Sequence, residues 1–321
     1  MRTDVHNHAI PDRALDLLSR DPAYPVTVEG RRLKGSIHGD FLLAESFTDP
    51  AAKIAELESK GLEAAVVSVA PPLFCYDLDL DPALAMARAV NDGLAEFTAG
   101  GPDRLRWLAS VPLQDPAVAA EELERAAGEG CIGVEIATGL ADGRRIDAPE
   151  FEPFWTQAER LGLPVMLHPA YVERHPGLQD FYFENVLGFL FETAIAIERL
   201  ISAGVLDRHP ELQIVVVHGG GYFPYQGGRL RHARTVRKEL ADSPEDPWAY
   251  LDRIWFDIVT HDAAALRYLV ERVGAERVVV GTDLPFDMAL PEPMGLLADA
   301  VDADTAARIA EANPAGLYPA R

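Results

Sequence analysis

The sequence predicts an α/β fold, a (β/α)8 TIM barrel with a small insertion after strand 1, from two observations. Short apolar runs rich in β-branched residues occur eight times, and longer segments of helical period separate them. Such alternation is typical of a parallel sheet covered by helices, and eight units close most simply into a barrel. The alternative is an open, doubly wound sheet, which usually carries a glycine-rich phosphate loop where this chain has His-Asn-His.

The elements follow from apolar character and from the residues that bound each run. The predicted strands are the run that ends at His6 to His8 and then 64–70, 105–113, 131–137, 163–170, 212–220, 254–261 and 277–286. Three of the segments between them begin with Asp-Pro, at Asp49, Asp81 and Asp115, and end at or near glycine. Asp caps a helix and Pro occupies its first turn, so these segments are predicted helices.

One insertion interrupts the alternation. Residues 11–49 contain YPVTVEGRRLKG, which predicts a small hairpin around Glu29 and Gly30. Because this segment follows the first strand, we expect it to lie over the active face as a lid or a substrate wall. No repeat or linker divides the chain, so 1–321 is expected to form a single domain.

The composition excludes several classes of function. With 29 Lys and Arg against 51 Asp and Glu, the formal charge is −22, which disfavours a nucleic-acid or anionic-membrane partner and favours a small molecule. Cys75 and Cys131 stand alone, so neither a disulfide framework nor a zinc finger is indicated. Without a long apolar run or an export signal, we expect a cytoplasmic location.

Polar residues that end the predicted strands point to a metal site. His6 and His8, two positions apart in a strand, face the same side. His168, His218 and Asp283 end three later strands. Active sites of barrels lie at the C-terminal ends of strands, so these five residues are predicted to converge, although a single such histidine would more often be structural.

Three imidazoles and one carboxylate suit Zn²⁺ and accept Mn²⁺, with a position left for water whose pKa falls from about 15.7 toward about 7. We assign one divalent ion, zinc with manganese as the alternative, to His6, His8, His168 and Asp283. His218 is left as the general acid/base, because histidine exchanges protons near neutral pH. Asp283 is expected to share in proton handling. No organic cofactor is expected.

The motifs DVHNHAIP, MLHP, VVHGGGYFP and GTDLPF, in this order, resemble the amidohydrolase superfamily and, within it, the branch typified by aminocarboxymuconate-semialdehyde decarboxylase. The resemblance covers nearly the whole chain. It implies zinc, or manganese in some relatives, at the four assigned ligands. It also implies a catalytic role for His218 and a pocket role for Phe286.

Two other residues are predicted to contact substrate. His261 ends the seventh strand on the active face. Glu135 lies on the fourth strand, where many superfamily hydrolases carry a metal-bridging lysine that this chain lacks. A bridging anion beside Asp283 and an acidic substrate would be electrostatically unfavourable, so one metal is expected, with Glu135 either supporting a metal ligand or facing the substrate.

Two arginines of the resembled branch bear on substrate and assembly. Ala44 stands where those enzymes carry an arginine that binds a substrate carboxylate. Arg237 matches a second arginine, which in the family reaches a neighbouring subunit's active site. The resemblance therefore implies a homodimer and a substrate other than that of the namesake enzyme.

The expected function is non-oxidative, metal-dependent decarboxylation of an aromatic or muconate-like carboxylic acid. A hydrolase or hydratase acting on a lactone, amide or enol acid would use the same metal site and is the alternative. A third hypothesis, a non-catalytic binding barrel, would be indicated by loss of a ligand or of His218, and all five residues are present.

Overall fold

In the computed structural model, which describes residues 1–35, 39–173, 176–243 and 246–319, eight parallel strands form a closed barrel. The strands in chain order are β1 (Thr3–Ala9), β2 (Thr27–Glu29), β3 (Arg32–Lys34), β4 (Phe41–Leu42), β5 (Ala64–Val69), β6 (Leu105–Trp107), β7 (Val134–Ala137), β8 (Val165–His168), β9 (Ile214–Val216), β10 (Ile254–Asp257) and β11 (Val278–Val279).

Helices follow the barrel strands and cover the outside of the barrel. They are α1 (Asp12–Arg20), α2 (Pro50–Ser59), α3 (Leu80–Ala99), α4 (Pro116–Gly128), α5 (Glu152–Leu161), α6 (Phe189–Ser202), α7 (Val205–Arg208), α8 (Phe223–Val236), α9 (Ala263–Val273), α10 (Pro293–Ala300), α11 (Ala303–Ala307) and α12 (Asn313–Leu317). Among these described helices, none is long and apolar enough to cross a membrane.

Backbone hydrogen bonds close the barrel at two seams. The order β1-β5-β6 meets the order β7-β8-β9-β10-β11 through a parallel bridge between Ala109 and Val134. On the other side, Val5 N donates to Val280 O and His8 N donates to Leu284 O, each at 2.8 Å. The predicted (β/α)8 barrel is therefore confirmed, with the first strand beside the last.

The predicted strands and helices differ from the observed ones mainly at their ends. The run 277–286 gives only the short β11, because its later residues turn across the mouth of the barrel. Asp49 and Asp115 cap α2 and α4 as predicted. α3 begins at Leu80 and not at Asp81, since proline is tolerated throughout the first helical turn, where its missing N–H has no intrahelical acceptor.

A β-bulge lies in β1, just before the histidine pair. Asp4 pairs with Ala65 and Asn7 with Val67, so Val5 and His6 together oppose the single residue Val66. One extra residue on a strand changes the face that the following side chains present. Val5 consequently packs in the barrel interior, and His6 and His8 also face inward above it.

The insertion contains the predicted hairpin. β2 and β3 pair antiparallel around a two-residue turn at Gly30, whose φ of +61° suits glycine, and β4 adds to their sheet. The hairpin prediction does not include α1, and residues 36–38 of the insertion lie outside the described residues. Phe41 and Phe47 place their rings 5.4 and 5.1 Å from that of Phe286, at the barrel mouth.

Apolar side chains fill the lower part of the barrel. Val5, Met166, Val215 and Trp255 belong to one buried cluster, which Tyr318 of the C-terminal segment joins. A second, larger cluster lies between the barrel and its helices. Since packed side chains occupy the lower interior, the polar residues collect at the C-terminal ends of the strands.

Candidate metal centre

Four buried side chains from three parts of the barrel meet at its mouth. The structure brings together all the predicted ligands, His6 and His8 from β1, His168 from the end of β8 and Asp283 after β11. One donor atom from each residue lies within 4.8 Å of the donor atoms of the other three. This spacing suits a single ion with ligand distances near 2 Å.

Hydrogen bonds at the outer ring nitrogens orient the imidazoles. His6 Nδ1 lies 2.7 Å from Asp257 Oδ2, His8 Nδ1 lies 3.1 Å from Val69 O, and His168 Nδ1 lies 2.9 Å from Pro169 O. In each case the oxygen accepts a hydrogen bond from Nδ1–H. The Nε2 atoms are left to face one another, as in metal-ligating histidines.

The inner atoms of the cluster fit a cation. His168 Nε2 is buried without a hydrogen-bond partner, and His6 Nε2 lies 3.1 Å from His8 Nε2. Asp283 Oδ1 lies 3.0 Å from His8 Nε2 and 3.5 Å from His6 Nε2. A divalent ion at the centre would satisfy all four groups, whereas a proton shared among His6, His8 and Asp283 would leave His168 Nε2 without a partner.

The electrostatics of the site favour the same arrangement at three of the four groups. Burial and the neighbouring imidazoles hold the pKa of His168 well below its ordinary value, and burial lowers the pKa of His8 to about 4. Burial alone would raise the pKa of Asp283, but His218 and His8 hold it well below its ordinary value. Neutral imidazoles and an ionised carboxylate are the forms that bind metals. At His6, burial lowers the pKa, but the hydrogen bond to Asp257 and the nearby carboxylates outweigh it and raise the pKa to about 9, so metal binding there would release a proton.

His218 lies beside this cluster and is not one of its four members. Its Nε2 is 3.6 Å from Asp283 Oδ2, while its buried Nδ1 has no hydrogen-bond partner. The backbone at His218 has a φ of +55°, and the next three residues are glycines with positive φ. A Cβ at Gly221 would lie 2.2 Å from Leu190 O, so the turn that presents His218 requires glycine.

Asp257 is a residue of the site that the sequence analysis misses. It is fully buried, and its Oδ1 accepts hydrogen bonds from Gly219 N at 2.7 Å and Val259 N at 3.1 Å, while Oδ2 holds His6. The one carboxylate therefore joins a metal ligand to the turn that carries His218. A single Asp inside the apolar run IWFDIV is the signal, because a buried charge needs partners.

A second polar residue that the sequence analysis does not identify, Lys53, supports β1 from α2. Lys53 of α2 is fully buried and donates to Asn7 Oδ1 at 2.6 Å and to His8 O at 2.9 Å. Asn7 in turn donates to Asp4, which accepts from Thr282 Oγ1 at 2.5 Å. These bonds fix the backbone of β1 between its histidines and tie it to the segment that carries Asp283.

The other predicted site residues lie outside the four-residue cluster, each at a different place. The Phe286 ring lies 5.3 Å from that of His8. Glu135 is fully buried 3.9 Å from His8 Nδ1, and burial raises its pKa to about 8. His261 borders a cavity beside His218. Arg237 is exposed at the end of α8, pairs with Glu239 at 2.6 Å, and does not line the cavities described next.

Two cavities open beside the cluster. The larger compartment, of about 610 Å³, is bordered by His218, His261 and Asp283. The smaller compartment, of about 150 Å³, is bordered by Phe41, Phe286, His168 and again Asp283. The candidate metal centre therefore lies where a bound molecule in either compartment can reach it.

Comparison with known proteins gives a consistent family. The protein family described as Amidohydrolase matches residues 3–320. The chain is 30% identical over 298 residues to 2-amino-3-carboxymuconate-6-semialdehyde decarboxylase of Dictyostelium discoideum, covering 90% of this chain and 82% of that protein. It is 33% identical over 251 residues to γ-resorcylate decarboxylase of a Rhizobium species, covering 72% and 75%.

The fold also matches solved structures. The crystal structure of 5-carboxyvanillate decarboxylase from Novosphingobium aromaticivorans, complexed with manganese and 4-hydroxy-3-methoxy-5-nitrobenzoic acid, superposes with a TM-score of 0.83 at 24% identity. The match covers 100% of this chain and 96% of that one. This similarity confirms the fold.

We predict one tightly bound divalent ion per chain. His8→Ala removes a ligand at the centre of the cluster, so the variant should lose the ion, whereas His232→Ala, at an exposed histidine of α8, should keep it. Elemental analysis of protein purified without added metal measures the ratio. Two tightly held ions per chain, or full retention by His8→Ala, would contradict the assignment.

We also predict that Asp257→Asn weakens metal binding by roughly 10- to 100-fold, because the amide removes the charge that orients His6 and raises its basicity. Competition with a chelator measures the affinity. Asp252→Asn, at an exposed aspartate near the start of β10, is the matched control and should bind as the unmodified protein does. Equal affinity in both variants would remove Asp257 from the metal centre.

Proposed function

The chain belongs to the amidohydrolase family, and on that premise we propose that it is a metal-dependent, non-oxidative decarboxylase of an aromatic or muconate-like carboxylic acid, a carbon-carbon lyase. The observation that carries the proposal is the buried cluster of three imidazoles and one carboxylate, with His218 beside it. The relatives named above are decarboxylases, which favours this reaction over hydrolysis by the same residues.

The proposed ion is zinc, with manganese as the alternative. Three nitrogen donors and one oxygen donor suit Zn²⁺, while the Novosphingobium protein was crystallised with manganese. When bound, the ion supplies a positive charge that holds an oxygen of the substrate and stabilises negative charge as it develops. Elemental analysis without added metal also distinguishes the two ions.

His218 is the proposed proton donor. Decarboxylation requires a proton on the carbon that carries the carboxylate, after which the carbon-carbon bond breaks, its electron pair stays with that carbon, and CO₂ leaves. No electron is transferred to a cofactor. His218 borders the larger compartment, and its Nε2 lies 3.6 Å from the carboxylate of Asp283, with which we propose that it shares the handling of the proton.

Aromatic residues form the proposed wall against water. The Phe286 ring packs 5.1 Å from that of Phe47 and 5.4 Å from that of Phe41, both in the insertion. Since an apolar wall raises the strength of electrostatic interactions beside it, these rings support charge stabilisation at the metal centre. The insertion acts here as the wall of the site.

The charges around the two compartments favour a substrate with a single carboxylate. Among the described residues that border either compartment, none is Lys or Arg, while Asp40, Asp283 and Asp287 are acidic. Ala44 is part-buried, packs against the core, and borders neither compartment. A second carboxylate on the substrate would therefore find no Lys or Arg partner within the chain that binds it.

His261 is proposed to contact the substrate from the larger compartment. Glu135 is proposed to support the position of the substrate from its place beside His8. We further propose a homodimer in which Arg237 approaches the neighbouring subunit. Exposed apolar side chains support an interface, and three of them, Tyr182, Tyr225 and Tyr268, border the two compartments. These exposed side chains are Phe181, Tyr182, Phe191, Tyr225, Val236 and Tyr268.

His218→Asn tests the proton donor. Asparagine is a shorter polar residue that tolerates the positive φ at this position but supplies no proton near neutral pH, so turnover should fall by about 10²- to 10⁴-fold. The metal content should stay at that of the unmodified protein, because His218 is outside the ligand set. Loss of metal to the extent seen for a ligand variant would place His218 among the ligands.

A substrate panel tests the reaction. We expect CO₂ release from hydroxybenzoates with one carboxylate, and poor turnover of aminocarboxymuconate semialdehyde, whose second carboxylate finds no Lys or Arg partner within the chain that binds it. The panel should include muconate analogues and small lactones, with CO₂ release and ring opening measured on each. Ring opening without CO₂ would support the hydrolase alternative, and efficient turnover of the semialdehyde would refute the inference from charge.

A further inference from the structure

The two compartments beside the metal centre differ fourfold in volume, about 610 Å³ against about 150 Å³. They share Asn185, Phe189, Asp283 and Met288, so they meet at the cluster. A cavity of about 150 Å³ holds one benzene-sized molecule. One aromatic ring therefore fills the smaller compartment and leaves the larger one to another part of the substrate.

The walls of the larger compartment indicate the chemical nature of the part of the substrate that it holds. Most are apolar, including Leu190, Pro224, Val259 and Leu269. No described residue of this wall is Lys or Arg, and its acidic member is Asp283. An anionic or strongly polar group would lose its hydration there without gaining a charged partner, whereas an apolar group would be stabilised by burial.

The backbone around this compartment is strained in three places. His218, His261 and Asp283 have φ values of +55°, +56° and +65°, in a region that residues with a side chain rarely adopt. All three border the larger compartment. Such conformations are energetically unfavourable and persist chiefly at functional sites, which supports a ligand-binding role for this cavity as well as a metal-binding role for the cluster.

We propose that the substrate carries an uncharged apolar substituent, alkyl or aryl and larger than methyl, that occupies the larger compartment. Its ring lies in the smaller compartment with the carboxylate-bearing carbon at the junction beside Asp283, where His218 of the larger compartment can reach it. The inference rests on the proposed function, since it assigns parts of an aromatic carboxylic acid to the two compartments. It goes beyond that function in making an extended monocarboxylic acid, and not a small hydroxybenzoate, the preferred class.

The test uses the metal-loaded full chain and 2-hydroxybenzoates that carry methyl, propyl or pentyl at ring position 4 or 6. Direct calorimetric binding gives an affinity for each acid, and CO₂ release is measured separately. Burial of each methylene contributes up to about fourfold in affinity. In at least one series, the pentyl acid should therefore bind at least roughly tenfold more tightly than the methyl acid.

Two variants on α9 locate the effect. Ala265 borders the larger compartment, and Ala264→Leu, at an exposed neighbour outside its wall, is the matched control. Ala265→Leu should remove most of the preference for pentyl, and Ala264→Leu should retain it. Equal affinities along both alkyl series, or equal effects of the two variants, would overturn the assignment of this compartment.

The outcomes for binding and turnover separate the two proposals. CO₂ release without a preference for longer substituents would support the decarboxylase and overturn the extended substrate. A preference for longer substituents that Ala265→Leu removes, without CO₂ release from any acid, would support the apolar compartment and overturn the decarboxylase.

Discussion

The structure depends on the burial of three imidazoles and a carboxylate at the barrel mouth, with three of these four groups at the seam where the first and last strands meet and the fourth, His168, on β8. His6 and His8 lie on β1 and Asp283 follows β11, and Asp283 N donates to His6 O at 2.9 Å. The hydrogen bonds that close the barrel therefore also set the spacing of the ligands. Without a cation the same burial would leave polar atoms unsatisfied, so barrel closure and metal binding are coupled.

The same coupling explains why buried polar residues support the metal ligands. Asp257 fixes the His6 ring and the turn that presents His218, and the buried Lys53 fixes the backbone of His8 through a direct bond to its carbonyl. Each is itself a buried charge with several hydrogen-bond partners, as burial requires. The catalytic geometry proposed for His218 therefore depends on residues that touch neither substrate nor ion.

The sequence predicts the barrel and its metal ligands because both depend on local sequence patterns. Apolar runs give the strands, and histidines at the ends of those runs lie on the active face whatever the details of packing. The roles of Asp257 and Lys53 are not predicted, because they depend on partners far away in the sequence. Asp257 and His6, which are hydrogen-bonded, are 251 positions apart. The two compartments are not predicted from the sequence either, because loops that follow several different strands form their walls.

The bulge in β1 has a consequence for how this strand tolerates changes in length. Because Val5 and His6 together oppose one residue of β5, deletion of a single residue there would restore a regular ladder and leave the pairing of Asn7 and His8 intact. The same deletion would remove either Val5 from the packed interior or His6 from the ligand set, and it would break the hydrogen bond from His6 N to Asp4 Oδ1 that spans the bulge. Homologous chains are therefore expected to conserve the spacing between Asp4 and His6 as strictly as the residues themselves.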